Sequence, residues 1–266
     1  MTVLIGTCSN RYGKEHTLCI SRHPSPHNLL FYWLFVHSLL LAQAQGELSL
    51  ALTHMVPSLV HLWITLIAAI LLCVFYRANI GAEAHFLPLL FLVICLGNVK
   101  ILPLYYHLSH IMILSPYWIG ILYHFAFIFS SFLFLASGLF QQTMNPLRLG
   151  QYSFIGGTST FLLAMLVPMS TNTYSFLKEA SITNNLFLGV TIMVSVLAVL
   201  TFIITIFEER GGRQTVARCL SFILMITGNA MVTISQDILY NSLGLFLYVV
   251  GATLLILVTR TYHIWA

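Results

Sequence analysis

"YWIGILYHFAFIFSSFLFLASGLF", Tyr117 to Phe140, runs for twenty-four residues without a charge. As an α-helix rising 1.5 Å per residue it is about 36 Å long, more than the roughly 30 Å of a bilayer's hydrocarbon core. In lipid every backbone N–H and C=O must find a partner inside the segment, so such a run is read as a helix. Six more apolar runs surround it, two of them with a single basic residue (Lys100 and Arg218): Pro57–Tyr76, Phe86–Tyr106, Tyr152–Met169, Leu186–Phe207, Val216–Gln236 and Ile238–Thr259. Only 7% of the 266 residues are charged, 59% are hydrophobic, and the mean hydropathy is +0.92. A soluble domain carries about 25% charge, and this chain has too little to clothe one. The expected fold is an all-α, polytopic membrane helix bundle in a single membrane domain.

The amino terminus carries a shorter run, Leu29–Leu41 within "NLLFYWLFVHSLLLAQAQGE" (Asn28–Glu47). Thirteen apolar residues are short for a span and suit the hydrophobic region of a signal peptide. Arg11, Lys14 and Arg22 precede the run, and the small-x-small triplet Ala42-Gln43-Ala44 follows it. Residues 1–44 are therefore expected to be a signal peptide, or an anchor helix if uncleaved. Residues 45–266 would form a domain of seven transmembrane helices, eight with the anchor. Either way the following residues face outward.

Arginine placement gives an independent reading. With an outside start, the inner loops and ends hold Arg77, Arg148, Arg210, Arg213, Arg218 and Arg260, and the outer loops only Lys178. This is the positive-inside bias, and it places the mature chain N-out and C-in, as in the inner membrane of a bacterium. The formal charge of +4 is spent on topology, so the bilayer is the expected partner and nucleic acid is not. Tyr76, Tyr105, Tyr106, Tyr117, Trp118 and Tyr152 lie near span ends, where an interfacial aromatic belt is expected.

Catalytic signatures are few. "EERGGR", Glu208–Arg213, matches the Glu-Glu-x-x-x-Arg pattern of membrane-embedded CAAX-type proteases. The intramembrane histidines that such a site also needs downstream are missing, since only His263 follows. There is no phosphate-binding Gly-rich loop and no His-Glu-x-x-His zinc motif. Asp237 is the sole aspartate, so paired acidic ligands for Mg²⁺ cannot be assembled in the usual way. The seventh run contains no lysine for a retinal Schiff base.

Polar residues, by contrast, concentrate in one half of the bundle. By the topology above, Lys100 falls in the outer third of the second span, where its amine can snorkel toward the outer interface. His61 enters with the first span and His124 with the third, while Asp237 joins the sixth and seventh at the outer end. His54, His107 and His110 belong to the same half. Tyr117, His124, Ser131 and Gly138 form a heptad stripe on the third span. Ser221, Gly228 and Ser235 do so on the sixth, beside Asn229 and Gln236. Small residues so spaced mark close helix packing, as do Gly156-Gly157 and the Gly244/Gly251 pair. The ligand-pocket candidates are Lys100, His61, His124, Asp237, Ser131, Asn229 and Gln236. His61 and His124 are the candidates for a transition metal or the two axial imidazoles of a haem; no cofactor is otherwise indicated.

A signal peptide followed by seven helices resembles, in layout, the membrane input regions of bacterial signalling proteins. That layout implies a sensor- or receptor-like module with an outward-facing polar pocket and a separate cytoplasmic output partner. A transporter or permease subunit with its own partner, or a haem- or metal-binding redox protein, is the alternative expectation.

Overall fold

The computed structural model describes residues 36, 37, 40, 43, 48–75, 86–111, 113–139, 149–166, 185–208, 212–235 and 237–265. The signal-peptide segment 1–44 lies almost wholly outside these residues, as do Gln236, Lys178, Arg77, Arg148 and Arg210. The described residues fold into helices joined by turns, without a strand. The helices are α1 (Leu48–Phe75), α2 (Leu87–Gly97), α3 (Ile101–Ser109), α4 (Pro116–Leu139), α5 (Leu149–Leu166), α6 (Asn185–Glu208), α7 (Arg213–Ile234) and α8 (Ile238–Trp265).

A single 3-10 turn, Asn98–Lys100, joins α2 to α3. Its cause lies three residues on. Pro103 has no N–H, and its ring clashes with the carbonyl four residues back, so an α-helix cannot run straight through it. Tightening the chain at Asn98–Lys100 places Pro103 in the first turn of a new helix, where proline is tolerated. The pair then reads as one crossing, Leu87–His107. α3 ends on His110, whose left-handed backbone (φ 57°) lets its N–H bond the Tyr106 carbonyl at 2.8 Å.

Among the described residues six crossings are long and apolar enough to span a membrane: Met55–Leu72, Leu87–His107, Pro116–Leu139, Leu188–Glu208, Arg213–Ile234 and Ile238–Thr259. The protein is a multi-pass integral membrane protein. α5, at 18 residues, is diluted by Gln151, Ser153, Thr158, Ser159, Thr160 and its glycines. It is the one expected span that does not stand among the six.

The helices close into a ring. α1 packs on α2, α2 on α4, α4 on α6, α6 on α7, α7 on α8, and α8 returns to α1. α5 lies outside the ring against α4, which also touches α7. α4 is more fully buried than any other span. Its aromatic rings meet those of its neighbours: Phe134 stands edge-on to Phe222 at 6.5 Å, and Phe222 stacks on Phe202 at 4.8 Å. Lipid is as apolar as these side chains, so dispersion and hydrogen bonds, rather than escape from water, hold such a ring together.

Contacts fix the helix directions. Along α5, Gly156, Gly157 and Phe161 meet Phe132, Phe129 and Phe125 of α4 in turn, so the two run antiparallel. Ser195 and Thr201 of α6 meet Ser131 and Gly138 of α4, so those two run parallel. Tyr123 and Phe134 of α4 meet Thr233 and Phe222 of α7, and Gly228 and Ser221 of α7 meet Gly244 and Gly251 of α8; both pairs are antiparallel. The end of α3, the start of α4, the end of α7 and the start of α8 therefore share one end of the ring. Arg213 and Arg218 at the start of α7, and Arg260 near the end of α8, lie at the other. Tyr117, Trp118 and Tyr152 are exposed as belt residues should be, whereas Tyr105 is buried, its ring 6.1 Å from that of His37.

Candidate functional site: a polar junction around Lys100

Four elements bring polar side chains together inside the ring at the end opposite the arginines. Lys100 is placed by the 3-10 turn, and its side chain crosses to α7, where Nζ donates to the Val232 carbonyl at 2.8 Å. This differs from the expected outward snorkel, for a structural reason. α7 ends at Ile234, so its last carbonyls have no intrahelical donor and carry the negative end of the helix dipole. An ammonium at the same depth satisfies one of them directly. A phenol satisfies the next: Tyr123 of α4 donates its O–H to the Thr233 carbonyl at 2.8 Å.

His61 of α1 completes the junction at 2% exposure. Its Nδ1 faces the Asn98 amide at 3.4 Å, and Asn98 also donates to the Ile94 carbonyl at 3.2 Å. The imidazole stands edge-on to the Tyr248 ring at 4.5 Å. Thr65, one turn along α1, donates to the His61 carbonyl at 2.6 Å, and its hydroxyl lies 3.2 Å from that of Tyr248. His61 Nε2 is buried and makes no hydrogen bond among the described residues. His61 lines a partly open cavity of about 10 Å³, with Asn98, Lys100, Ser130, Asn229 and Thr233 on its walls. That is roughly the room a single water occupies. Asn229, a residue 5% exposed, lines the same space.

Of the residues singled out from sequence, Lys100, His61 and Asn229 come together here. His124 is buried on α4, donates Nδ1–H to the Gly120 carbonyl at 2.7 Å and stands against the Tyr123 ring, but it does not line the cavity. Ser131 donates to the Phe127 carbonyl at 3.1 Å and accepts from Ser195 at 3.3 Å, so it belongs to the α4–α6 seam. Asp237 is exposed, its backbone N–H held by the Ser235 hydroxyl at 3.2 Å. His107 is half-buried and His110 exposed; the His54 side chain lies outside the description. Among the described residues no three His, Cys, Asp or Glu side chains gather as metal ligands.

Sequence reasoning passed over Asn98, Tyr123, Thr65 and Tyr248. Pro103 was the available signal for Asn98, because the helix break it forces turns the residues just before it inward. Tyr123 and Tyr248 read as ordinary apolar ring positions, and nothing in their spacing marks the hydroxyls as hydrogen-bond partners.

What the junction offers chemically is hydrogen-bond donation. One ammonium, an imidazole and two carboxamides converge, and no carboxylate borders the cavity. Compared with known proteins, the chain matches no family model, no curated protein and no solved structure.

Proposed function

We propose that this protein is a sensor- or receptor-like membrane module of seven helices behind a cleaved leader, with the mature amino terminus outside. Its polar junction around Lys100 would face the outer side and work as a latch. The observation that carries this reading is the Lys100 hydrogen bond to the Val232 carbonyl. An ionisable side chain inside a membrane domain is expensive, and as a rule marks function. Here it is held by a single bond between two helices distant in sequence. A small ligand bearing a carboxylate competes for that amine, releases the end of α7, and favours a second packing of the α7–α8 pair on α3 and α4. A ligand shifts such an equilibrium only by binding one packing better than the other. The inner end of α8 then presents the change to a separate cytoplasmic partner. The antiparallel run of α5 along α4, with α6 parallel to α4, supports a seventh crossing. Arg213, Arg218 and Arg260 at the end opposite Lys100 support the N-out orientation.

The test is thermal unfolding of purified protein against a panel of small carboxylates, acetate to succinate and the common amino acids. At least one is expected to raise the Tm of the native chain and to leave the Lys100→Met variant unmoved, with both equally helical before addition. A shift of equal size in Lys100→Met, or no shift with any member of the panel, overturns the reading. A transporter subunit is the second reading, favoured by the broken crossing Leu87–Ser109, since interrupted helices line substrate sites in that class.

A further inference from the structure

A second cavity, unrelated to the Lys100 junction in chemistry, opens on the outer wall of the ring. It is a groove of about 530 Å³ between α6 and α7, with Phe127 of α4 as its back wall. This volume falls in the range of small-molecule sites, which run from about 300 to 1,000 Å³. Ile192, Val196 and Leu200 on α6 line one side, and Ile226, Ala230 and Ile234 on α7 the other. Four hydroxyls lie on its lining, and three of them are engaged. Thr227 donates to the Ile223 carbonyl at 2.9 Å, Ser195 to Ser131 at 3.3 Å and Ser235 to the Asp237 carbonyl at 3.4 Å, while that of Tyr240 stands at the Ser235 end. Away from that end no polar group on the wall asks for a polar guest, so the occupant there is hydrocarbon.

The lining of the groove reaches Leu200 and Ile226 in depth, and runs along α7 for nine residues to Ser235, about 14 Å at 1.5 Å per residue. That is roughly half the thickness of a bilayer's hydrocarbon core, the depth of one leaflet. Its mouth, at Ser235 and Tyr240, lies where α7 passes into α8. Asp237, the only aspartate of the chain, stands exposed between those two residues. An ammonium at this mouth finds a carboxylate and, in the exposed Tyr240, a phenol face, both of which attract cations.

We propose that the α6–α7 groove binds an acyl chain of a phosphatidylethanolamine from the leaflet on the Asp237 side, with its ammonium at Asp237. The site holds one lipid in a fixed place, unlike the lipid that covers the exposed faces of α5 and α8. Because Phe127 lines both cavities, the bound chain presses on the wall of the Lys100 junction.

The experiment uses the full chain in nanodiscs containing phosphatidylethanolamine with a mid-chain diazirine, with adducts mapped by peptide mass spectrometry after photolysis. Labelling is expected on residues 192–200 and 226–235 at least tenfold above the lipid-exposed face of α5, around Phe154, Ile155 and Leu162. Ala230→Trp and Val196→Phe, which fill the groove from opposite helices, are each expected to abolish the excess; size-exclusion chromatography checks that each variant remains folded. Asp237→Asn is expected to reduce it several-fold, and to remove the preference over a diazirine phosphatidylglycerol. Labelling of α5 equal to that of the groove, excess labelling that survives either filling variant in folded form, or indifference to Asp237→Asn overturns the proposal.

Discussion

α7 is held on two sides by opposite means. Toward α8 the contact is made by absence of side chain. A Cβ placed on Gly228 would lie 2.5 Å from the Tyr248 nitrogen and 2.6 Å from the Gly244 carbonyl oxygen. One on Gly251 would lie 2.7 Å from the Ser221 carbonyl oxygen. Toward α3 and α4 the contact is made by reach: Lys100 and Tyr123 extend long side chains to bond the last carbonyls of α7. In lipid the two devices answer the same need, because hydrophobic burial supplies no attraction between helices. They differ in tolerance. Backbone against backbone leaves nothing that can move aside, whereas a side chain reaching a carbonyl can be withdrawn and replaced. The seam is suited to permanence and the junction to change.

This contrast can be broken most sharply at Gly228. Helix propensity alone favours Gly228→Ala by about 1 kcal/mol, but the new methyl meets main chain on two sides. Overpacking costs typically about 1–3 kcal/mol and more where nothing yields. A net destabilisation of about 2 kcal/mol is expected, read as a lower Tm in detergent; a Tm at or above that of the native chain would mean that the seam is looser than these distances say. The junction is expected to respond less. Tyr123→Phe removes one hydrogen bond and leaves the Thr233 carbonyl unpaired, worth about 1 kcal/mol. A loss as large as that at Gly228 would show the junction to be as rigid as the seam. The smallest effect is expected at Gly189 of α6, where a Cβ meets nothing within 4 Å. Gly189→Ala should raise stability by a few tenths of a kcal/mol, up to about 1, through propensity alone. A fall in Tm there would reveal a contact on that face of α6.

Much of the seam was legible in the sequence. Gly244 and Gly251 recur at seven residues, as do Ser221, Gly228 and Ser235, and small residues at that spacing have few uses in a membrane other than close approach. The apolar runs likewise announced the crossings by length. The junction was legible only in part. Lys100, His61 and Asn229 are polar enough to draw attention wherever they fall. Which of the others would join them depended on rotation about helix axes, and a heptad count assumes an unbroken helix. Ser131 shares a stripe with His124, yet it faces α6. Asp237 shares the correct end of the ring and is still exposed, because α7 stops at Ile234 before reaching it. The side of the ring on which α5 packs depends on ring contacts with α4 that no single segment encodes.

The 3-10 turn before Pro103 has a rotational consequence. A 3-10 helix advances about 120° per residue and an α-helix about 100°. Three residues in the tighter form therefore turn everything beyond them by an extra 60° or so. Without that increment the α3 residues that follow, Tyr105 among them, would point about one-sixth of a turn away from where they now lie buried. Pro103 thus sets the phase of the second half of its crossing. Its pyrrolidine, which is not on the cavity lining, decides which way the residues after it look.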